Sequence, residues 1–320
     1  MTKEATNASR REAAGAQLRR LMRMAETQTP LRTAVVHPVD ALSLSGAVEA
    51  ARRGLIEPIL IGPVPRIRAA AQAAGLDLAG LDLVDVEHSH EAAARACVLA
   101  SEGRVAAIMK GALHTDELLE AVVARHSGLR TDRRMSHVFV LDVPSYPRPL
   151  LVSDAALNVD PDLATKRDIV QNAIDCAHAM DIAEPKVAIL SAVETVNPKM
   201  VSTLDAAALC KMADRGQIVG GVLDGPLAFD NAISLEAAEA KGIKSAVAGR
   251  ADILIVPNIE AGNMLAKQLF YLSNAQSAGV VMGARVPIIL TSRSDPEASR
   301  LASCALAILV GQHKPTKYIR

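Results

Sequence analysis

The chain reads as α/β, with two doubly wound domains built on mainly parallel sheets. Three observations predict it. Short, almost wholly apolar runs alternate with longer amphipathic stretches, the pattern of βαβ units whose strands are covered on both faces. Hydrophobic residues make up 50% of the 320 positions while aromatics make up 2%, so the core must be built from Ala, Val, Leu and Ile. On a soft scale of about 150 residues per domain, that length suggests two domains.

Taken in order, "QLRRLMRMAE" closes an Arg-rich first helix, "TAVVHP" is a strand, "DALSLSGAVEAARRG" a helix and "EPILIGP" a strand. "PRIRAAAQAAG", "LDLVDV" and "SHEAAARACVLASEG" continue as helix, strand and helix, followed by "VAAIMKG", "TDELLEAVVARHSG" and "MSHVFVLDVP". Around "SYPRPLLVSDAALNVDP" prolines and turn formers break the rhythm, which places a domain crossover there. Beyond it come "DLATKRDIVQNAIDCAHAM", "KVAILSAV", "STLDAAALCKMADRG", "IVGGVLDGP", "ADILIVPN" and "EAGNMLAKQLFYLSNA". "VPIILTSR" and "DPEASRLASCALAILVG" supply a last strand and helix, and "QHKPTKYIR" reads as an exposed tail. The domains are expected at 1–150 plus 287–320 and at 151–286.

Lys plus Arg and Asp plus Glu both number 35, so the formal charge is zero. Without a basic field, and with few aromatic platforms, nucleic acid is not an expected partner. Cys97, Cys176, Cys210 and Cys304 stand far apart and form no CxxC pair, so they read as buried core residues in a reducing cytoplasm. The first helix carries Glu4, Glu12 and Glu26 and has no apolar core of a signal peptide, so it reads as a solvated amphipathic helix. No apolar run is long enough to span a membrane.

Polar clusters recur at the carboxyl ends of the predicted strands, the edge where open α/β sheets bind ligands. Lys110, His114 and Thr115 lie in "MKGALHT", and Arg130 with Arg133 and Arg134 in "GLRTDRR". Ser153 and Asp154 follow a strand, Ser191 and Glu194 another, and Asp224 and Asp230 flank "GPLAF". Asn263 and Lys267 stand one turn apart on a helix. The strand "VPIIL" delivers Ser292 and Arg293 just before Asp295 and Pro296, which open a helix. An arginine beside a helix N-terminus suits an anion. Each cluster also has a plain reading as turn, cap or solvated face: Asp295 as an N-cap, Ser153 and Asp154 as turn formers, the arginines as solvated charge. No GxGxxG, GxxxxGK[ST], GxSxG or HExxH occurs at these places, so dinucleotide, nucleoside-triphosphate, nucleophile-elbow and zinc-protease readings are unsupported.

From about residue 33 to 311, the order of "MKGALHT", "GLRT" with "MSHVFV", "SDAALN", "PKVAILSAVET", "DGPLAFDNA", "PNIEAGNMLAKQL" and "VPIILTSR" resembles the phosphate acetyltransferase/phosphate butyryltransferase family. "MKGALHT", "LRT" with "SHV", and "TSR" are similar to its butyryl branch, and to the acyltransferase part of longer chains that also carry a hydratase domain. No hydratase-like segment is read here. The resemblance implies a fold like the isocitrate and isopropylmalate dehydrogenases, with an interdomain cleft, and reversible acyl transfer between coenzyme A and phosphate. It puts the family's strand-terminal serine and arginine on Ser292 and Arg293. The place of the acetyl branch's aspartate holds Ser299, and the arginine that branch carries on the helix after the "GALHT"-like loop is missing from "ELLEAVV". The general base then falls to Asp295 or, second, Asp154. His114, Thr115, Arg130, Ser153, Asn263 and Lys267 become candidates for substrate binding.

Acyl transfer from an acyl phosphate to a thiol needs thiol deprotonation, from a reference pKa of about 8.5, and cationic or dipolar partners for phosphate. It also needs donors for the developing oxyanion, one good donor being worth about 3–4 kcal/mol. Arg293 suits the phosphate and Ser292 the oxyanion. The expected partners are acyl-CoA or CoA and phosphate or acyl phosphate. No metal or further cofactor is expected, and the family suggests a homodimer or higher homo-oligomer. A metal-dependent hydroxy-acid dehydrogenase of the same fold and a non-catalytic CoA- or phosphate-binding module are the alternatives.

Overall fold

The structure is a computed structural model and describes residues 15–290 and 295–313. The chain divides into two compact units. The first is formed by 20–133 and 278–312, the second by 134–277 together with the described residues 15–19 and 313. The division thus falls ahead of the strand Ser136–Asp142, where the sequence pattern suggested a crossover near residue 150. That strand pairs antiparallel with Leu150–Ser153, Phe139 opposite Val152 and Leu141 opposite Leu150, so the ladder keeps both in one unit. The second crossing lies within a strand, Gln276–Met282, that the sequence pattern did not single out.

In the first unit, β1 (Leu31–Val36), β2 (Ile56–Gly62), β3 (Asp82–Asp85) and β4 (Ala107–Lys110) alternate with helices. α1 (Ala16–Glu26), whose residues up to Arg19 belong to the second unit, leads in, and α2 (Ala41–Arg52), α3 (Val64–Ala74), α4 (Ser89–Ser101) and α5 (Thr115–Val123) follow the strands in turn. The strand order is β3-β2-β1-β4, parallel throughout. The short β11 (Ile288–Ile289) lies parallel on β4, and β10 (Gln276–Met282) pairs antiparallel with β11. α11 (Glu297–Gln312) closes the unit. Ala34, Val35, Val36, Leu60, Ile61, Ile108 and Met109 are buried almost completely, as continuous apolar strands covered on both faces require.

In the second unit the order is β5-β6-β9-β7-β8, with β5 (Ser136–Asp142), β6 (Leu150–Ser153), β7 (Lys186–Leu190), β8 (Val222–Leu227) and β9 (Ile253–Ile255). β6, β9, β7 and β8 are parallel. The helices are α6 (Leu163–Ala179), α7 (Val201–Asp214), α8 (Phe229–Ile233), α9 (Leu235–Ala240) and α10 (Ile259–Leu272). Two of them, α8 and α9, were not marked by the sequence pattern because each spans less than two turns. Phe139 and Phe270 meet edge to face at 5.6 Å against a core whose fully buried members are Leu, Val and Ala.

Two N-terminal caps show how local chemistry starts these helices. Asp40 accepts the Ser43 N–H at 2.7 Å to open α2, and Asp162 accepts the Thr165 N–H at 2.8 Å to open α6. α1 is started from far away in the chain. Asp142, at the end of β5, accepts the Gln17 and Leu18 N–H groups at 2.7 and 3.2 Å.

Candidate active site

In the first unit Val36 is level with Lys110, and Met109 with Ile289, so the ends of β1, β4 and β11 share one edge. The chain runs from β1 outward to β2 and β3, then returns to the other side of β1 as β4. The β1/β4 boundary is therefore the topological switch point, where such sheets open a crevice at their carboxyl edge. The two strand ends are laced together, Gly111 N–H to Val36 O and Ala112 N–H to His37 O, both at 2.9 Å. A Cβ on Gly111 would lie 2.3 Å from Val36 O, so this approach requires glycine.

Lys110 is half-buried, and its Nζ donates to the carbonyls of Leu113 and Gly111 at 3.2 and 3.4 Å, tying the cation to the loop. His114 is the exposed N-cap residue of α5 and makes no side-chain cap bond, and Thr115 is the half-buried first residue of that helix. Arg130 is exposed on another loop, which is held by an antiparallel bridge to Ala284 and a 2.6 Å bond from Thr131 Oγ1 to Gly283 O. Ser292 and Arg293 lie outside the described residues. Asp295 is half-buried and its carbonyl accepts from the Arg300 guanidinium, while the Pro296 carbonyl accepts the Ser299 and Arg300 N–H groups as α11 begins. Ser299, in the place of the family's aspartate, is buried, and its carbonyl accepts the Ser303 hydroxyl.

In the second unit Ser153 and Ile189 are both level with Ile255, so the ends of β6, β7 and β9 share an edge. Ser153 is fully buried and donates to His137 O at 2.8 Å. Asp154, the second candidate for the base, holds the turn that follows β6. Its Oδ1 accepts the Ala156 and Leu157 N–H groups at 3.0 and 3.1 Å. Its Oδ2 accepts the Asn158 N–H at 3.1 Å and the Asn158 side-chain amide at 2.6 Å. Burial nonetheless raises the Asp154 pKa, because desolvation of the carboxylate outweighs those four bonds. Asn263 donates to Ala155 O at 3.3 Å from α10, and Lys267, one turn on, is exposed. Ser153, Asp154 and Asn263 thus form one cluster around the loop after β6.

His37 and His137 are buried histidines that the sequence pattern left inside strands. His137 stacks edge-on to Phe139 at 4.3 Å, and burial lowers its pKa to about 4, so it is a neutral core residue. The only local signal for His37 is the His-Pro pair that ends the apolar run. Cys97, Cys176 and Cys304 are buried, as expected; Cys210 is only half-buried, with its Sγ near Gly225 O. Burial pushes Cys97 to about 11 and the other three to about 12, so none offers a thiolate near neutrality. Among the described residues no group of three or more His, Cys, Asp or Glu is placed to hold a metal, and no helix is long and apolar enough to cross a membrane.

The model of the family described as Phosphate acetyl/butaryl transferase matches residues 89–308. The chain belongs to that family. A phosphate acetyltransferase from Rhizobium meliloti is 60% identical over 290 residues, which cover 91% of this chain and 92% of that protein. A phosphate butyryltransferase from Clostridium acetobutylicum is 43% identical, over 88% of this chain and 94% of its own. Among solved structures, a branched-chain phosphotransacylase from Enterococcus faecalis V583 is 28% identical with a TM-score of 0.78, covering 89% of this chain and all of that one (100%). A 4-hydroxythreonine-4-phosphate dehydrogenase from Klebsiella pneumoniae, 12% identical with a TM-score of 0.54 over 88% and 100% of the two chains, shares the fold alone. The expected dehydrogenase-like α/β architecture therefore holds for this phosphate acyltransferase. The family match spans "MKGALHT" through most of α11, and begins after β1 and His37.

Proposed function

We propose that this chain transfers a short acyl group reversibly between coenzyme A and phosphate, with acetyl preferred over butyryl. The observation that carries the reading is the 60% identity to a phosphate acetyltransferase along 91% of the chain.

In the proposed mechanism the substrate thiol attacks the carbonyl carbon of the acyl phosphate directly. The C–S bond forms, the C–O bond to phosphate breaks, and the thiol proton leaves to a base. The raised pKa values of all four cysteines support attack by the substrate's own thiol over a cysteine intermediate. Arg293 is assigned to the phosphate, Ser292 to the oxyanion and Asp295 to the proton, with Asp154 second for that role. Lys110, His114, Thr115 and Arg130 are assigned to substrate binding in the first unit. Ser153, Asn263 and Lys267 are assigned to it in the second. The chemistry needs no metal or nicotinamide. The enzyme is further proposed to work in the cytoplasm as a homodimer. The apolar residues Met264, Tyr271 and Leu272, exposed along α10, support self-association, which light scattering tests.

The deciding experiment is turnover of acetyl-, propionyl- and butyryl-CoA with phosphate, followed by thiol release. Acetyl-CoA should give the highest kcat/KM, and Arg293→Ala should lower turnover by about two to three orders of magnitude with the fold intact. A parent inactive on all three substrates would sink the reading, and an Arg293→Ala variant at parental rate would remove that residue from it.

A further inference from the structure

Arg300 carries a charge into the interior of the first unit. It stands in the first turn of α11 and is 7% exposed, and its guanidinium Nη1 donates to the Asp295 carbonyl. Its own N–H goes to the next carbonyl, Pro296 O, at 3.2 Å. One residue thus grips the two consecutive carbonyls that lead into the helix. The Nε is buried with no hydrogen-bond partner among the described residues.

The neighbouring helix α2 makes space for this side chain. A Cβ on Gly46 would lie 3.3 Å from Arg300 Nε and 3.4 Å from its Cδ, and 3.9 Å from Met109 Cε. Gly46 has no left-handed φ, and glycine weakens a helix interior. Its presence is accounted for by the arginine stem, which lies against the bare backbone there. Methionine at position 300 would fill the same slot without burying a charge or leaving Nε unpaired. What the arginine alone adds is its grip on the Asp295 carbonyl. Met109 is level with Ile289, so this grip sits by the edge where β4 and β11 end and where the base is assigned.

We infer that Arg300 is a positioning residue for acyl transfer: by holding the Asp295 carbonyl it sets where the Asp295 carboxylate meets the substrate thiol. The inference rests on the acyl-transfer reading, with Asp295 as the group that takes the thiol proton. Arg300 acts through Asp295 and need not touch a reacting atom. Misplacing a catalytic group by about 1 Å can cost about a hundredfold in rate, so a main-chain anchor under the base has a measurable effect.

The test compares the full-length parent with Arg300→Met, Asp295→Asn and the double variant. The readouts are kcat and KM against pH, with folding followed by melting temperature. Arg300→Met should lower kcat about tenfold near neutrality, with the KM for CoA and for phosphate within about twofold. The deficit should close as pH approaches the thiol pKa of about 8.5, because the thiolate then forms unaided. Added to Asp295→Asn, Arg300→Met should cost less than about twofold more, since both act on one proton transfer. A structural role alone predicts a loss that is constant with pH or that adds in full to Asp295→Asn. Either result overturns the inference, as does a loss confined to KM or a parental kcat. Should Arg300→Met fail to fold, Arg300→Lys decides. Lysine keeps the charge without the planar fork, so the same pH-dependent deficit is expected at about threefold. A parental or pH-independent profile in that variant overturns the inference. If Asp295→Asn keeps the parental pH profile, the base assignment falls and the role of Arg300 with it, while acyl transfer stands. A parent inactive on every acyl-CoA defeats the acyl-transfer reading and the inference together.

Discussion

Asp154 shows how one residue can carry opposed electrostatic demands. Four donors hold its carboxylate, while burial penalises the charge and wins, so the folded pKa lies above the unfolded value of about 3.9. The folded state then binds the proton more tightly, so the contribution of Asp154 to stability is full below the unfolded value and is lost as pH rises through the folded one. Its sign is opposite to that of Asp162 and Asp214, whose pKa values are lowered. In Asp154→Asn that contribution should vanish. The new amide would also point donors at the Asn158 N–H groups, at a cost of about 1–3 kcal/mol. Denaturant midpoints between about pH 4 and pH 7 check both expectations. Catalysis separates the two carboxylates further. Asp295→Asn should lose turnover near neutrality and recover as pH approaches the thiol pKa of about 8.5, because the thiolate then forms unaided. If Asp154→Asn shows that profile instead, the order of the two bases is reversed.

Helix α10 is set by a single small residue. A Cβ on Gly262 would lie 2.7 Å from Val256 Cγ2 and 2.9 Å from Asp154 O, so the helix can close on the loop after β6 only without a side chain there. In an open helix interior, glycine to alanine gains about 1 kcal/mol of helix propensity. Here overpacking costs about 1–3 kcal/mol and should win. Gly262→Ala is therefore expected to lower the melting temperature, and a gain in stability would show that the loop yields. α6 makes a different point about elements. "ATKRDIVQN" looks like a solvated helix, yet Lys166 is buried against Asp205 at 2.6 Å, and Asp168 accepts the Arg134 N–H at 2.9 Å. Gln171 pairs with the Val219 backbone, and Asn172 donates to Arg134 O and Ser136 Oγ. Helical spacing in the sequence does not distinguish these buried polar pairs from charges in water.

At the scale of the whole molecule, the proposed chemistry draws on guanidinium, ammonium and hydroxyl groups. Full turnover is expected after exhaustive chelation. Activity lost to a chelator and restored by a divalent cation would move the reading toward the metal-dependent alternative. By itself, the sequence determined the alternation of β1 to β4 with their helices, the parallel class of both units and the burial of three of the four cysteines. Those features follow from local apolar periodicity, which reports how much of each stretch avoids water. The order of motifs determined the family, and with it the acyl chemistry. Tertiary structure alone decided which strand ends stand together. It brought His37 beside Gly111 at the switch point, set Asp142 at the start of α1, and gave the Asp154 carboxylate to the loop that follows β6. The reason is physical: a residue's periodicity is local, whereas strand order, close backbone approach and the pairing of buried polar atoms depend on contacts between segments far apart in the chain.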